Sequence, residues 1–304
     1  MNYSVVIPLY NKEDSIVKTV KSVLNQEYAQ FEIVVVNDGS TDKSLERLSQ
    51  IQDDRIRIIS TENGGVSHAR NVGIREAKYE WIAFLDGDDI WEKNYLHEMV
   101  LFMEKYSDAQ MYGANRYIIN KSGDIVRKKC RLNADFMGYL LPYYKYASSM
   151  GPLFFLSSTI VNKEKSIEIG LFDETLSFGE DMDFIIRFTF YNKVAFYNRY
   201  LIYYRNDSEN RAMERVHPFK KTIQYQVLEG KYDEFASEDS IFNKYINGLA
   251  LRYLMIPILD KYKLDKKIID KYIKRTRTSD IGLKKYILYI PYPIIKFLVS
   301  FIIK

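Results

Sequence analysis

Asp86, Asp88 and Asp89 crowd around Gly87 at the end of the apolar run Trp81-Ile82-Ala83-Phe84-Leu85. Carboxylates this close repel one another, so a counter-charge is expected. A hard divalent cation suits the role, because Mg²⁺ takes one or two protein carboxylates and completes its shell with water and substrate phosphates. Gly87 leaves room for a phosphate to approach the backbone. The same residues also read as an acidic turn capping a helix that starts near Trp91, since Asp is favoured at helix amino-termini. A second acidic group, Glu180, Asp181 and Asp183, opens the apolar run Phe184-Ile185-Ile186. There too the residues alone allow either chemistry or stabilisation of a first helical turn by the helix dipole.

Short apolar, β-branched runs read as strands and 3.6-residue spacing as helices. Residues 4–10 give a first strand ending near Pro8, and Ile16, Val20, Val23 and Leu24 fall at helical spacing. Residues 31–36 give a second strand that runs into Asn37-Asp38-Gly39-Ser40-Thr41-Asp42, where Asp42 can cap the next helix. A third strand is expected at 56–60, a helix at 66–77 and a fourth strand at Trp81. Alternation of this kind is the mark of an α/β domain with a mainly parallel sheet, whose ligand sites lie beyond the carboxyl ends of the strands. Tyr10, Asp38, Asp86 and Asp88 follow three such ends and are expected to share one crevice. No Gly-x-Gly-x-x-Gly and no Gly-Lys-Ser/Thr loop is present, so a nucleotide there is held by another scheme.

Further along, 109–119 and 124–131 read as strands joined at Lys121-Ser122-Gly123, and 133–146 as a Tyr-rich helix or loop. A short apolar run at 157–161, a helix from about Glu180, a strand at 194–204 and a polar loop at 205–211 follow. From about Pro218 the pattern is helical. With 47% hydrophobic and 28% charged residues, the chain has the balance of a folded globular protein. Cys130 is the one cysteine, which excludes an intrachain disulfide and a cysteine zinc site. Residues 261–304 carry a net +9 of the overall +4, leaving a mildly acidic body that argues against a nucleic-acid partner. The first residues lack the features of a signal peptide, so the chain is expected in the cytoplasm. Residues 286–304 are almost wholly apolar but broken by Pro291 and Pro293. After a basic stretch, that pattern suggests a segment lying on the cytoplasmic face of a membrane, or one packed on the body or on a second subunit.

Val5-Val6-Ile7-Pro8-Leu9-Tyr10-Asn11, the Asn37-Asp38-Gly39-Ser40 turn, Ala69-Arg70-Asn71, Leu85-Asp86-Gly87-Asp88-Asp89 and Gly179-Glu180-Asp181 occur in the order seen in family 2 glycosyltransferases, which the sequence resembles over residues 4 to about 205. The resemblance implies a GT-A fold over 1–210, with a nucleotide-sugar half at about 1–115 and an acceptor half at about 116–210. A carboxyl-terminal helical region with a membrane-associating tail would occupy 211–304. It implies that Pro8 and Tyr10 line the nucleotide pocket, Asp38 accepts a hydrogen bond from uracil, Arg70 or Asn71 contacts the nucleotide and Asp86 the ribose. Asp88 would ligate Mg²⁺ or Mn²⁺ on the diphosphate, and Asp181 would take the proton of the acceptor hydroxyl. Where relatives often carry a histidine, this chain has 206–211, so Arg205 or Arg211 is expected on the diphosphate. No Gln-x-x-Arg-Trp motif is present, which points to single addition rather than polymer synthesis. The expected activity is inverting transfer of one sugar from a UDP-sugar to a glycan or lipid-linked acceptor. The rival readings are a nucleotidyltransferase with a similar metal and nucleotide crevice, and a catalytically inactive membrane-surface binding protein.

Overall fold

The computed structural model describes residues 1–210, 215, 217–259 and 270, with side chains as far as Leu251 along the last long helix. Ten strands form one sheet: β1 (Tyr3–Leu9), β2 (Phe31–Asp38), β3 (Ile56–Thr61), β4 (Trp81–Phe84), β5 (Ile90–Trp91), β6 (Met111–Ile119), β7 (Ile125–Arg127), β8 (Met137–Tyr139), β9 (Thr159–Asn162) and β10 (Val194–Arg205). Their order is β3-β2-β1-β4-β9-β6-β10-β5, with β7 beside β6 and β8 beside β10. The amino-terminal half of the sheet is parallel, β9 inserts antiparallel between β4 and β6, and β6 and β10 resume the original direction. Helices α1 (Ile16–Leu24), α2 (Ser44–Ser49), α3 (Val66–Glu76), α4 (Tyr95–Lys105), α5 (Tyr143–Met150), α6 (Lys163–Glu168) and α7 (Glu180–Tyr191) connect and flank the strands.

Register explains why the acidic turns meet. Tyr3–Leu9 pairs in step with residues 31–37 and residues 3–6 with Trp81–Phe84, so the loops after β1, β2 and β4 leave the sheet at the same edge. Every residue of β2 is buried, as expected of a parallel strand covered on both faces. On α3, a Cβ at Gly73 would lie 2.3 Å from Val6 Cγ1. The glycine therefore lets the helix rest directly on β1, which brings Arg70, one turn earlier, towards the strand ends.

The expected helix start near Trp91 is replaced by β5, which pairs antiparallel with Ile202 and Tyr203 of β10, and α4 begins only at Tyr95. Trp91 is buried and its indole N–H donates to the Ser157 carbonyl at 2.7 Å, so a polar tether fixes an extended segment where capping was expected. Residues 133–146, read as helix or loop, divide between β8 and α5.

The chain falls into two compact units, one of Met1–Tyr143 with Met150–His217, the other of Tyr144–Ser149 with the described residues from Pro218 onward. In the second unit α8 (Ile223–Glu229), α9 (Asp233–Glu238) and α10 (Ser240–Leu259) share an aromatic core in which Tyr144 meets Phe242 edge-on at 4.6 Å. Among the described residues no helix is long and apolar enough to cross a membrane. The basic and apolar tail, 260–304 except Asp270, lies outside the described residues.

Candidate active site

The strand-end crevice is organised by one buried cation. Arg70, on α3, donates from Nη2 to Asp86 Oδ1 at 2.7 Å and from Nη1 to Glu180 Oε1 at 2.9 Å, with the Phe172 ring 5.4 Å below the guanidinium. Burial works against its charge, but Asp86 and then Glu180 outweigh that and hold it protonated. A buried guanidinium needs such partners. Here they come from two distant parts of the chain, so Arg70 joins the turn after β4 to the start of α7.

Gly179, at φ 80°, turns the chain sharply before α7. Glu180 and Asp181 then occupy its first turn. Asp181 is partly buried, accepts from the Met182 N–H at 2.7 Å, and has its carboxyl pushed up to about 6, chiefly by burial and by Glu180, against the pull of Arg70. A carboxylate with that proton affinity is suited to general-base work near neutral pH. Asp183 plays a structural part instead, because it is fully buried and paired with Arg187 at 2.6 Å one turn on.

Gly87 separates two differently held acids. A Cβ there would stand 3.1 Å from the Pro8 carbonyl, so the glycine lets the acidic turn close on the end of β1. Asp88 accepts through Oδ2 from Lys12 Nζ and from Ser208 Oγ, both at 2.6 Å. Among the described residues nothing donates to its Oδ1 or to Oδ2 of Asp86. Asp88, with one oxygen unengaged, fits the sparse protein set that Mg²⁺ or Mn²⁺ uses, and the unengaged oxygen of Asp86 is left for another ligand. Among the described residues no cluster of three His, Cys, Asp or Glu side chains forms a complete protein cage. Lys12, unremarked in the sequence, supplies part of the counter-charge expected for the acidic turn and would share Asp88 with a cation.

Asp89 is buried and proves to be a junction. It accepts from Ser157 Oγ at 2.6 Å and from the Arg205 N–H at 3.0 Å, while Ser157 Oγ accepts from the Asp86 N–H at 3.1 Å. Burial, then Asp88 and Asp86, hold its carboxyl well above the usual range. The turn is thereby tied to the end of β10.

The other sequence-selected residues divide. Pro8 and Tyr10 end β1 beside this turn; the Arg215 guanidinium lies 5.5 Å from the Tyr10 ring centroid, and Asn210 donates to the Tyr10 carbonyl. Asp38 is buried and both its oxygens accept backbone N–H groups, from Gly64 at 2.8 Å and Gly65 at 2.9 Å, so its carboxylate shapes the 63–65 turn. Asn71 exchanges hydrogen bonds with the Phe172 backbone and donates to Glu174, which engages its amide away from Asp86 and leaves Arg70 as the one of the pair that faces the acidic turn. Arg205 turns its guanidinium to Asp207, with both contacts at 3.1 Å. Arg211 lies outside the described residues.

Residues 4–163, more than half of the chain, match glycosyl transferase family 2. The chain belongs to that family. An uncharacterized glycosyltransferase, RT0329 of Rickettsia typhi, is 29% identical over 88% of this chain and 86% of its own length. The Escherichia coli UDP-Glc:alpha-D-GlcNAc-diphosphoundecaprenol beta-1,3-glucosyltransferase WfgD is 38% identical over 39% of this chain and 47% of its own. Among solved structures, S. aureus TarS residues 1–349 in complex with UDP-GlcNAc superposes with a TM-score of 0.75 at 20% identity, covering 97% of this chain and 88% of that one. The shared architecture is the GT-A fold of family 2 glycosyltransferases, a mainly parallel α/β sheet followed by carboxyl-terminal helices. Lys12 is a residue of the crevice that the sequence did not single out, and its only signal was its position shortly after β1. Asp89 was marked with its acidic turn, but its part as a junction to β10 was not.

Proposed function

We propose that this family 2 glycosyltransferase moves one sugar from a UDP-sugar to a hydroxyl of a lipid-linked glycan, with inversion at the anomeric carbon. The observation that carries the reading is Arg70, which binds Asp86 and Glu180 together and so sets a diphosphate turn and a raised-pKa carboxylate in one crevice. The names of two similar proteins support a uridine nucleotide and, for WfgD, an acceptor on a lipid diphosphate.

In this scheme residues 1–115 hold the donor and 116–210 the acceptor. Pro8 and Tyr10 border the nucleotide and Asp86 the ribose. Asp38 keeps the 63–65 turn in place beside the base, and Arg70 positions Asp86. Asp88 would hold Mg²⁺ or Mn²⁺, which supplies charge neutralisation at the leaving diphosphate. Asp181 accepts the proton of the acceptor hydroxyl as its oxygen bonds to the anomeric carbon, while the bond from that carbon to the diphosphate oxygen breaks and UDP leaves from the opposite face. Lys12, Arg205 and Arg211 are the cations on the leaving-group side.

Incubation of the protein with Mn²⁺, a panel of UDP-sugars and a bacterial lipid extract should release UDP and add one hexose-type mass to a lipid-linked acceptor. Release of pyrophosphate instead would favour nucleotidyl transfer, and no release with any donor would favour an inactive binding protein. The +9 tail with its broken apolar end supports peripheral attachment to the cytoplasmic face. Deletion of 281–304 is expected to move the protein from the membrane pellet to the supernatant, and unchanged sedimentation removes that part of the proposal.

A further inference from the structure

One cation beside the crevice has no carboxylate partner among the described residues. Arg116 stands on β6 opposite Ile202 of β10, and its guanidinium lies 4.3 Å from the centroid of Phe155, a ring that itself meets Tyr204 at 4.9 Å. Its Nε is buried with no hydrogen-bond acceptor among the described residues. Arg70, Arg187 and Arg205 each engage at least one carboxylate, whereas Arg116 forms no ion pair among the described residues. Burial lowers its proton affinity, and the charges that offset this are those of Asp89, Tyr204 and Asp181.

That placement decides what the guanidinium serves. Asp89 anchors the turn assigned to the leaving diphosphate, and Asp181 is the carboxylate assigned to the acceptor hydroxyl. In an inverting displacement the sugar being transferred lies between those two groups, with its anomeric carbon in line with both. Phe155 lies two residues before Ser157 and packs on Tyr204, the residue before Arg205, and Ser157 and Arg205 both donate to Asp89, so the ring that carries Arg116 adjoins the turn assigned to the diphosphate. The field of Asp181 reaches the same guanidinium, and a cation so placed borders the transferred sugar. An arginine carries five N–H donors and no acceptor, so its complement is a set of oxygen atoms.

We infer that Arg116 is a donor-specificity residue, whose guanidinium donates hydrogen bonds to ring-substituent oxygens of the transferred pyranose. The inference rests on the glycosyl-transfer reading above and adds to it a site that reads the sugar separately from UDP. Phe155, 4.3 Å from the guanidinium carbon, supports the side chain from one side and leaves its N–H donors for the sugar.

The test compares wild type, Arg116→Met and Arg116→Lys by calorimetry against UDP and against UDP-glucose, UDP-N-acetylglucosamine and UDP-glucuronate, with Mn²⁺ throughout. Arg116→Met should bind UDP as wild type does, which also reports that it is folded. Its affinity for the preferred UDP-sugar, relative to UDP, should fall about tenfold or more. Arg116→Lys should fall between the two. In turnover assays the Met variant should raise KM for the donor and leave the pH midpoint assigned to Asp181 where it was. Unchanged discrimination between UDP-sugar and UDP overturns the inference. So does a shifted pH midpoint with unchanged donor KM, which would mean that Arg116 acts only on Asp181. If wild type binds neither UDP nor any UDP-sugar, the glycosyl-transfer reading fails and the inference fails with it; UDP binding with intact discrimination in Arg116→Met removes the inference alone.

Discussion

Replacing Asp181 by Asn should abolish turnover and stabilise the protein in one step. The carboxyl titrates at about 6 in the folded chain against an ordinary 3.8, with burial and Glu180 as the main causes. A shift of about 2 units corresponds to about 3 kcal/mol. The sign follows from linkage. At about pH 3 and below the group is protonated in both folded and unfolded chains and costs almost nothing. As pH rises towards 6, only the unfolded chain has released the proton, so stability falls; above 6 the full cost is present and constant. Asn carries no charge, and its amide oxygen can still accept from the Met182 N–H. Asp181→Asn should therefore melt about 6–12 °C above wild type at pH 8 and level with it at about pH 3. Turnover should fall by about 10²- to 10⁴-fold, while wild-type kcat/KM rises through a midpoint near the carboxyl's own value. Melting curves by scanning calorimetry at the two pH values, beside a UDP-release assay, measure both effects. Equal melting temperatures at pH 8, or transfer within a few-fold of wild type, would refute the placement of a desolvated base at the start of α7.

Arg70→Met leaves Asp86 and Glu180 without their shared cation and should lower stability by about 3 kcal/mol, seen as an earlier denaturation midpoint. Asp88→Ala should weaken UDP binding with Mn²⁺ present and make it insensitive to chelator, whereas wild type should lose affinity on addition of EDTA; both are read by calorimetry. Gly87→Ala places a methyl against the Pro8 carbonyl and should cost about 1–3 kcal/mol while raising KM for the donor.

Much of the amino-terminal part of the sheet was legible because β1 and β2 are buried almost throughout. The β-branched runs at the first two strands, and the spacing of Ile16, Val20, Val23 and Leu24, specify their elements without help from the rest of the chain. Asp42 falls one residue short of the expected cap: Lys43 holds the N-cap position of α2, and the Asp42 carboxylate accepts the Ser44 N–H from just outside the helix. Ile90 and Trp91 were not legible, because their extended form depends on β10 and on the Ser157 carbonyl, both far away in sequence. The same reason hid Lys12, Arg116 and the junction role of Asp89. A lysine after a strand and an arginine within a strand look ordinary until the surroundings are known, and for Arg116 the informative fact is that it forms no ion pair among the described residues. Asn71 shows the converse: a residue inside a family motif whose amide is engaged by Phe172 and Glu174.

The floor of the proposed donor crevice is laid within the first ninety residues, but its wall arrives much later. Lys12 donates to the carbonyl of Glu209, Ser15 to the Glu209 carboxylate, and Asn210 reaches back to Tyr10. Loops spanning roughly two hundred positions must close before these contacts exist, which makes them late events in folding. A chain still emerging from the ribosome would thus carry every donor-side motif yet have no enclosed place for a sugar nucleotide until Arg205 and its neighbours were made.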